Sequence, residues 1–357
     1  MNARFVLALV AALIICVSLG ANAEDATPLT EQVICEVDGV RADDIVLSLD
    51  LAHTAFVKSS GKGEVLVVDG KDGKEYPKAG KQVFSPDGKK VACVVKEGNN
   101  FRVLENGKAG PKYDEIDESL LLYDPTSKNL AYAAKKDGKE FVVLNGKEQG
   151  SYKGVLEFYF SEDGKQLACK VAADVPTPAI QGGTFPDEVW VVGGSMILSC
   201  SMQSNFALSP NGKRWALVGG PVMGAMVDRN DIGMHVYIDG EKHQKLAMNS
   251  SSSLPGHHMF VFSPDSKKIA YRVDDGKSSA IYLETKKFGP YKDVSSPMFS
   301  PSGKSLLWLA DSGKGMSLVV DGEAWETVGE DEEEIQGHKM PITFCPVFNG
   351  DKSIAYV

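Results

Sequence analysis

The chain has 357 residues, 43% of them apolar, with 38 basic against 48 acidic side chains and a formal net charge of −10. That length can bury a large core, and the acidic balance excludes a protein whose whole surface attracts nucleic acid. Its 6 cysteines form no C-x-x-C pair, which excludes a dense disulfide framework and a cysteine-built zinc centre.

At the amino end, Arg4 precedes an apolar run from Phe5 to Leu19, and Ala21-Asn22-Ala23 is an A-x-A cleavage signal. The run is short for a membrane span and no stop-transfer pattern follows it. The sequence therefore predicts a signal peptide at 1–23, a short linker at 24–32, a periplasmic or secreted location, and no membrane span after cleavage. Cys16 leaves with the signal. Of the remaining Cys35, Cys93, Cys169, Cys200 and Cys345, two occupy the same place in two repeats, and Cys93 and Cys169 are read as small buried apolar residues.

From residue 33 onward the chain repeats one pattern, clearest in FSPDGKKVACV from Phe84 to Val94. An apolar residue ends a strand, Ser-Pro-Asp-Gly turns the chain, lysines stay solvated, and an apolar run returns. Taking the apolar residue before the turn as reference, copies begin at Leu47, Phe84, Tyr123, Phe160, Leu208, Phe262, Phe299 and Phe344. Their return strands carry Ala55, Ala92, Ala131, Ala168, Ala216, Ala270 and Ala355 at one position, where only Leu307 departs; a recurring small side chain predicts close approach of a neighbour. The copy at Leu47 reads LSLDLAH and lacks the usual turn residues.

Each first hairpin is followed by a second, an apolar run ending in Asp-Gly, Asn-Gly or Gly-Gly: VLVVDG at Gly70, FRVLENG at Gly107, FVVLNG at Gly146, VWVVGG at Gly194, HVYIDG at Gly240 and LVVDG at Gly322. AIYLET at Thr285 lacks the glycine. The interval from reference residue to this turn is 23 in five repeats, from 47 to 70, 84 to 107, 123 to 146, 262 to 285 and 299 to 322. Four short antiparallel strands, here named a to d, thus recur in one unit the size of a propeller blade. Aromatic segments around Tyr113, Tyr152, Tyr291 and Trp325 follow as strand d and are read as packing between blades.

The amino end supplies a strand of type c reaching Gly39 without a pair a–b before it, and 344–357 supplies a pair a–b without c–d after it. Together they predict a shared blade, giving an all-β propeller of eight four-stranded blades, closed by its terminal strands; seven blades is the alternative. The repeats FSPDGK…AY, together with the signal, resemble the WD40-like repeats of TolB-type β-propellers over essentially all of 33–357. That resemblance implies an exported propeller that binds proteins or ligands, and it implies no reaction.

No G-x-S-x-G, H-E-x-x-H or zinc-spaced cysteine pair occurs, so no catalytic residue, metal or cofactor is assigned. Asp69, Asp72 and Glu75 are spaced loosely like a calcium loop but coincide with a turn. The departures from the repeat say more. The 23-residue interval grows to 34 from 160 to 194 and to 32 from 208 to 240, and the usual return of 14 grows to 22 from 240 to 262 and from 322 to 344. The first two lie between strands b and c, the others between d and the next a, all on the face opposite the short turns. That face is the predicted surface for a protein or other extracellular ligand. Its candidate residues are Met223, Asp228, Arg229 and Asp231 from one loop, His257 and His258 from the next, and His338 beside the acidic run Glu330 to Glu334. A non-catalytic binding module is the first reading. A metal-dependent lyase or hydrolase using the two histidines, or a structural envelope component, is the alternative.

Overall fold

The structure, a computed structural model, describes residues 4–9, 32–38, 44–173, 187–200, 205–219, 234–246, 260–313, 315–328, 332–335, 338–341, 346–349 and 353–356. Among them there are strands, turns and no α-helix. The chain divides into two compact units, Met1–Ser151 and Tyr152–Val357.

The first unit contains three four-stranded sheets. Sheet one is Val46–Leu47, Thr54–Ser59, Glu64–Val68 and Lys71–Tyr76; sheet two is Lys78–Phe84, Val91–Glu97, Asn100–Glu105 and Lys108–Ala109; sheet three is Glu115–Tyr123, Leu130–Lys136, Lys139–Leu144 and Lys147–Tyr152. Arg4–Leu9 pairs antiparallel with Gln32–Asp38, Arg4 opposite Asp38.

The second unit contains four more. Sheet four is Gly154–Phe160, Leu167–Ala173, Asp187–Val192 and Ser195–Cys200; sheet five is Phe206–Leu208, Trp215–Gly219, Met234–Ile238 and Glu241–Leu246; sheet six is Phe260–Phe262, Ile269–Asp274, Ser279–Leu283 and Lys286–Tyr291. In sheet seven strand a is broken into Asp293–Val294 and Met298–Phe299, both paired with Leu306–Asp311, and Met316–Val320 and Glu323–Val328 complete it. Every sheet is an antiparallel meander in the order a-b-c-d, the order expected of a propeller blade. Two hairpins follow, Glu332–Ile335 with His338–Pro341 and Pro346–Asn349 with Ser353–Tyr356.

The first turn, Ser-Pro-Asp or Ser-Glu-Asp, is held by one set of bonds. In sheets two, four and six the buried serine hydroxyl donates to the aspartate two residues on, at 2.7 Å in Ser85–Asp87, Ser161–Asp163 and Ser263–Asp265. It also accepts the backbone N–H that starts the return strand, from Lys90, Gln166 and Lys268 at 2.9 to 3.0 Å. LSLDLAH makes the same turn: the N–H of His53 donates to Ser48 Oγ at 2.9 Å. The lost sequence signals therefore did not remove the geometry.

The second turn carries its own lock. A residue with positive φ at the end of strand c turns its side-chain oxygen onto the first N–H of strand b, fifteen residues back: Asp69 to Thr54, Asn106 to Val91, Asn145 to Leu130, Asp239 to Trp215 (239 − 215 is 24 because of the insertion), Glu284 to Ile269 and Asp321 to Leu306, all at 2.8 to 3.0 Å. Glu284 does with one more methylene what Asp or Asn does elsewhere, so the missing glycine at Thr285 leaves this lock intact.

Between sheets the packing is small against large. Ala92 shares a core with Tyr123, Leu130 and Tyr132 of sheet three; Ala216 with Phe262, Ile269 and Tyr271 of sheet six; Ala270 with Leu306 and Trp308 of sheet seven. These alanines are fully buried, as the recurring small residue predicts, since a β-carbon with nothing beyond it leaves room for the ring behind. Cys93 and Cys169 are buried free thiols, and burial pushes both up to about 12. Tyr113 packs edge-on to Tyr132 at 6.1 Å, the packing role expected of that segment.

Candidate functional site

Strands b and c leave each sheet at the end opposite the short turns, and in sheets four and five these exits bear the insertions. Met223, Asp228, Arg229, Asp231, His257 and His258 lie outside the described residues. His338 falls in a strand, opposite Ile335, so the acidic connection around it is a hairpin at 332–341 rather than an open loop.

Beneath the insertion at 174–186, sheet four breaks its apolar pattern. Lys170 stands ten residues after its reference residue, where five other sheets place Val57, Val94, Ala133, Val218 and Leu309 and sheet six places Arg272. It is 8% exposed, lies opposite Glu157 on strand a, and its ammonium sits 3.7 Å from Glu157 and 2.5 Å from Glu188, the second residue of strand c. Burying a cation without a counter-charge costs several kcal/mol, roughly; two carboxylates supply it. Tyr159 donates to Glu157 at 2.8 Å, and burial together with that carboxylate pushes the phenol up to about 12. The Tyr159 ring lies 5.5 Å from Trp190 and 5.8 Å from Phe206, which stack on each other at 4.0 Å. Trp190 is fully buried, whereas Tyr159 keeps 41% of its surface exposed.

Sheet five has a comparable feature. His235 is 2% exposed, pairs with Gly219 across strands b and c, and meets Tyr237 edge-on at 6.4 Å. Gly219 and Met234 bound the insertion at 220–233, so this histidine lies one residue inside its return. Lys170, Glu188 and His235 are thus site residues that reading the loops alone overlooked. Laying the repeats over one another at the tenth position would have found the lysine.

In the first unit, the same end of sheet three holds a cavity of 330 Å³ lined by Glu115, Ile116, Asp117, Glu118, Ala133, Ala134, Lys135 and Glu140. A bulge opens it: Asp117 pairs with Ala133, but the next pair is Leu122 with Ala131. Glu118 leaves the bulge to accept the N–H of Lys81 at 2.7 Å, and it fills the space a β-carbon on Gly80 would need. Among the described residues no group of three or more His, Cys, Asp or Glu could hold a metal ion. The carboxylates whose spacing loosely matches a calcium loop are engaged in the turn region, with Asp72 2.7 Å from Lys58 and Asp69 2.8 Å from His53. Among the described residues no helix is long and apolar enough to cross a membrane.

No protein-family model and no curated protein matches the chain. Among solved structures, the β-propeller domain of the Trilobed protease from Pyrococcus furiosus is similar, at 14% identity over 78% of this chain and 92% of that one, with a TM-score of 0.33. TolB from Acinetobacter baumannii is similar at 14% identity over 76% and 78%, TM-score 0.27. A eukaryotic initiation factor is similar at 12% identity over 79% and 76%, TM-score 0.41.

Proposed function

We propose that the chain is an exported β-propeller that binds a protein or other extracellular ligand at the insertion-bearing end of its second unit, without covalent chemistry. The observation that carries this reading is the break in the repeat below the insertions. Lys170 with its two carboxylates stands where five of the other six sheets are apolar, on the strand that leads into 174–186, and the buried His235 lies one residue inside the return from 220–233. Polar groups are kept in a core at a cost, and here they adjoin the loops that gained length. The test shortens 176–187 and 219–231 and asks whether a partner retained by the intact protein is still captured. Capture should be lost while the melting temperature stays within a few degrees. Undiminished capture, or loss caused instead by charge reversal at Lys89 and Lys267 in the short turns, overturns the assignment.

The reading includes export and closure. Cleavage after Ala23 removes Arg4–Leu9, the partner of Gln32–Asp38 in the full chain, and the mature mass tests it: Met1 retained in the exported protein contradicts it. Closure assigns Gln32–Asp38 and the hairpin of Pro346–Asn349 with Ser353–Tyr356 to one eighth blade. Deleting 33–39 or 344–357 should lower the melting temperature far more than deleting 249–253, and equal melting refutes the shared blade.

A further inference from the structure

A chain built from near-copies of one sheet must still decide which sheet stacks on which. In the second unit the apolar contacts do not make that choice. Sheet five offers Ala216 to the Tyr271 of sheet six, and sheet six offers Ala270 to the Trp308 of sheet seven, the same small-against-aromatic fit twice. A skipped sheet would bury much the same surface.

Two arginines differ from this uniformity, and both reach across a gap between sheets. Arg214 of sheet five bonds to Asp239 of its own sheet through Nε at 2.8 Å. Its Nη1 donates to Glu284 at 3.0 Å and to the carbonyl of Lys267 at 2.7 Å, both in sheet six. Glu284 is the one glutamate in the second-turn lock, and the extra methylene lets it hold the N–H of Ile269 and Arg214 at once. Arg272 of sheet six donates from Nη2 to Asp293 at 2.8 Å and from Nη1 to the carbonyl of Val294, both in sheet seven. Asp293 stands six residues before its reference residue; counting six back from Phe160, Leu208 and Phe262 in the sequence gives Gly154, Met202 and Gly256. Counted along the sequence of the second unit, the carboxylate at this offset belongs to the copy that forms sheet seven.

Stability does not account for Arg272. Its position is apolar in five of the other six sheets, and among the described residues its buried Nε has no hydrogen-bond acceptor. A partly satisfied guanidinium contributes no more than a well-packed leucine, whereas an arrangement without Asp293 leaves it only the more distant Asp274 of its own sheet, at 3.8 Å. We propose that Arg214 with Glu284, and Arg272 with Asp293, are address contacts that fix the order of sheets five, six and seven.

The experiment refolds the full chain from denaturant and reads both monomer recovery by size exclusion and the melting temperature of the monomer. The variant Arg214→Gln with Arg272→Leu carries residues found at the equivalent positions, Gln166 and Leu309. Its monomer should melt within a few degrees of the parent, while monomer recovery falls several-fold in favour of misordered, aggregated chains. Exchanging the charges, Arg272→Asp with Asp293→Arg, should recover more monomer than Arg272→Asp alone. Unchanged recovery overturns the proposal. So does a loss of recovery no greater than that of Val218→Ala at matched melting temperature, because a merely structural role predicts that equality.

Discussion

At the end of each sheet where a meets b and c meets d, successive repeats use the same few hydrogen bonds. At the opposite end hardly two repeats agree. Sheet three carries a bulge and an acidic cavity, sheet four a buried lysine between two glutamates, sheet five a buried histidine, and sheet six an arginine reaching outward. A turn is a local problem with few solutions, so each copy is held to it. The open end faces no such constraint and is free to differ. Substitutions at the turn end should therefore be interchangeable between repeats, and those at the open end should not.

The largest expected effect comes from the turn whose residues have exchanged roles. In sheet three Asp124 stands in the place of serine. Fully buried, it accepts the N–H groups of Thr126, Lys128 and Asn129 at 2.7 to 3.2 Å. Asp124→Ala leaves five donors without this acceptor, three of them backbone N–H groups, and should cost about 3 kcal/mol in urea unfolding. The double variant Asp124→Ser with Thr126→Asp restores the common arrangement and should recover most of that loss. If it unfolds as readily as the alanine variant, the turns are not interchangeable.

Acid probes the same bonds collectively. The hydroxyls of Ser85, Ser161 and Ser263 hold Asp87, Asp163 and Asp265 below the ordinary carboxylate value of 3.8. Burial alone would raise Asp124, but the bonds from Thr126, Lys128 and Asn129 lower it. A carboxyl group with a lower pKa folded than unfolded stabilises the fold at pH above the unfolded value, and that contribution disappears as pH falls through the folded one. Melting temperature should thus decline as pH drops below 3.8. The decline should be shallower in a variant with Asp87→Asn and Asp265→Asn; parallel curves would contradict the assignment.

The second-turn lock should show a smaller effect. Asn145→Ala removes the acceptor for Leu130 N–H and places alanine at φ of 52°, costing about 1 to 2 kcal/mol. Asn106→Asp should change unfolding by less than about 0.5 kcal/mol, because Asp69, Asp239 and Asp321 already fill the same place. A cost for aspartate equal to that for alanine would show that charge as well as geometry is selected there.

These turns also mark how far the sequence could be read. Their residues recur at fixed offsets because the backbone demands them locally, so the four-strand unit and its recurring alanine were legible. The partner of the turn aspartate was not, since the N–H it holds lies fifteen residues away and belongs to no motif. Glu284 read as a lost signal for that reason. At the open end, Lys170 and Arg272 were visible as letters, but a single charge in an apolar strand acquires meaning only once its neighbours are known. Met223, Asp228, Arg229, Asp231, His257 and His258 followed from loop length alone, which says where chain was added and nothing of what the side chains meet.

The smallest effect is a gain. The fourth residue of each first turn has positive φ, supplied by Gly88, Gly164, Gly212 and Gly303 at 68° to 71° and by Ser127 and Ser266 at 64° and 62°. In sheet one it is Leu51, at 60° and 41% exposed. An L-residue in this conformation costs roughly 1 to 2 kcal/mol, and glycine returns part of that by loosening the unfolded chain, by about 0.4 to 1 kcal/mol. Leu51→Gly should therefore stabilise the protein by about 0.5 to 1 kcal/mol, read as a higher urea midpoint with an unchanged slope. Leu49, at 78% exposed beside it, serves as the control, since Leu49→Gly relieves no strain and should be neutral or slightly destabilising. If Leu51→Gly lowers the midpoint instead, the leucine side chain makes a contact in the folded protein worth more than its strain, and the first turn belongs with the open end as a place where the repeat was broken for a purpose.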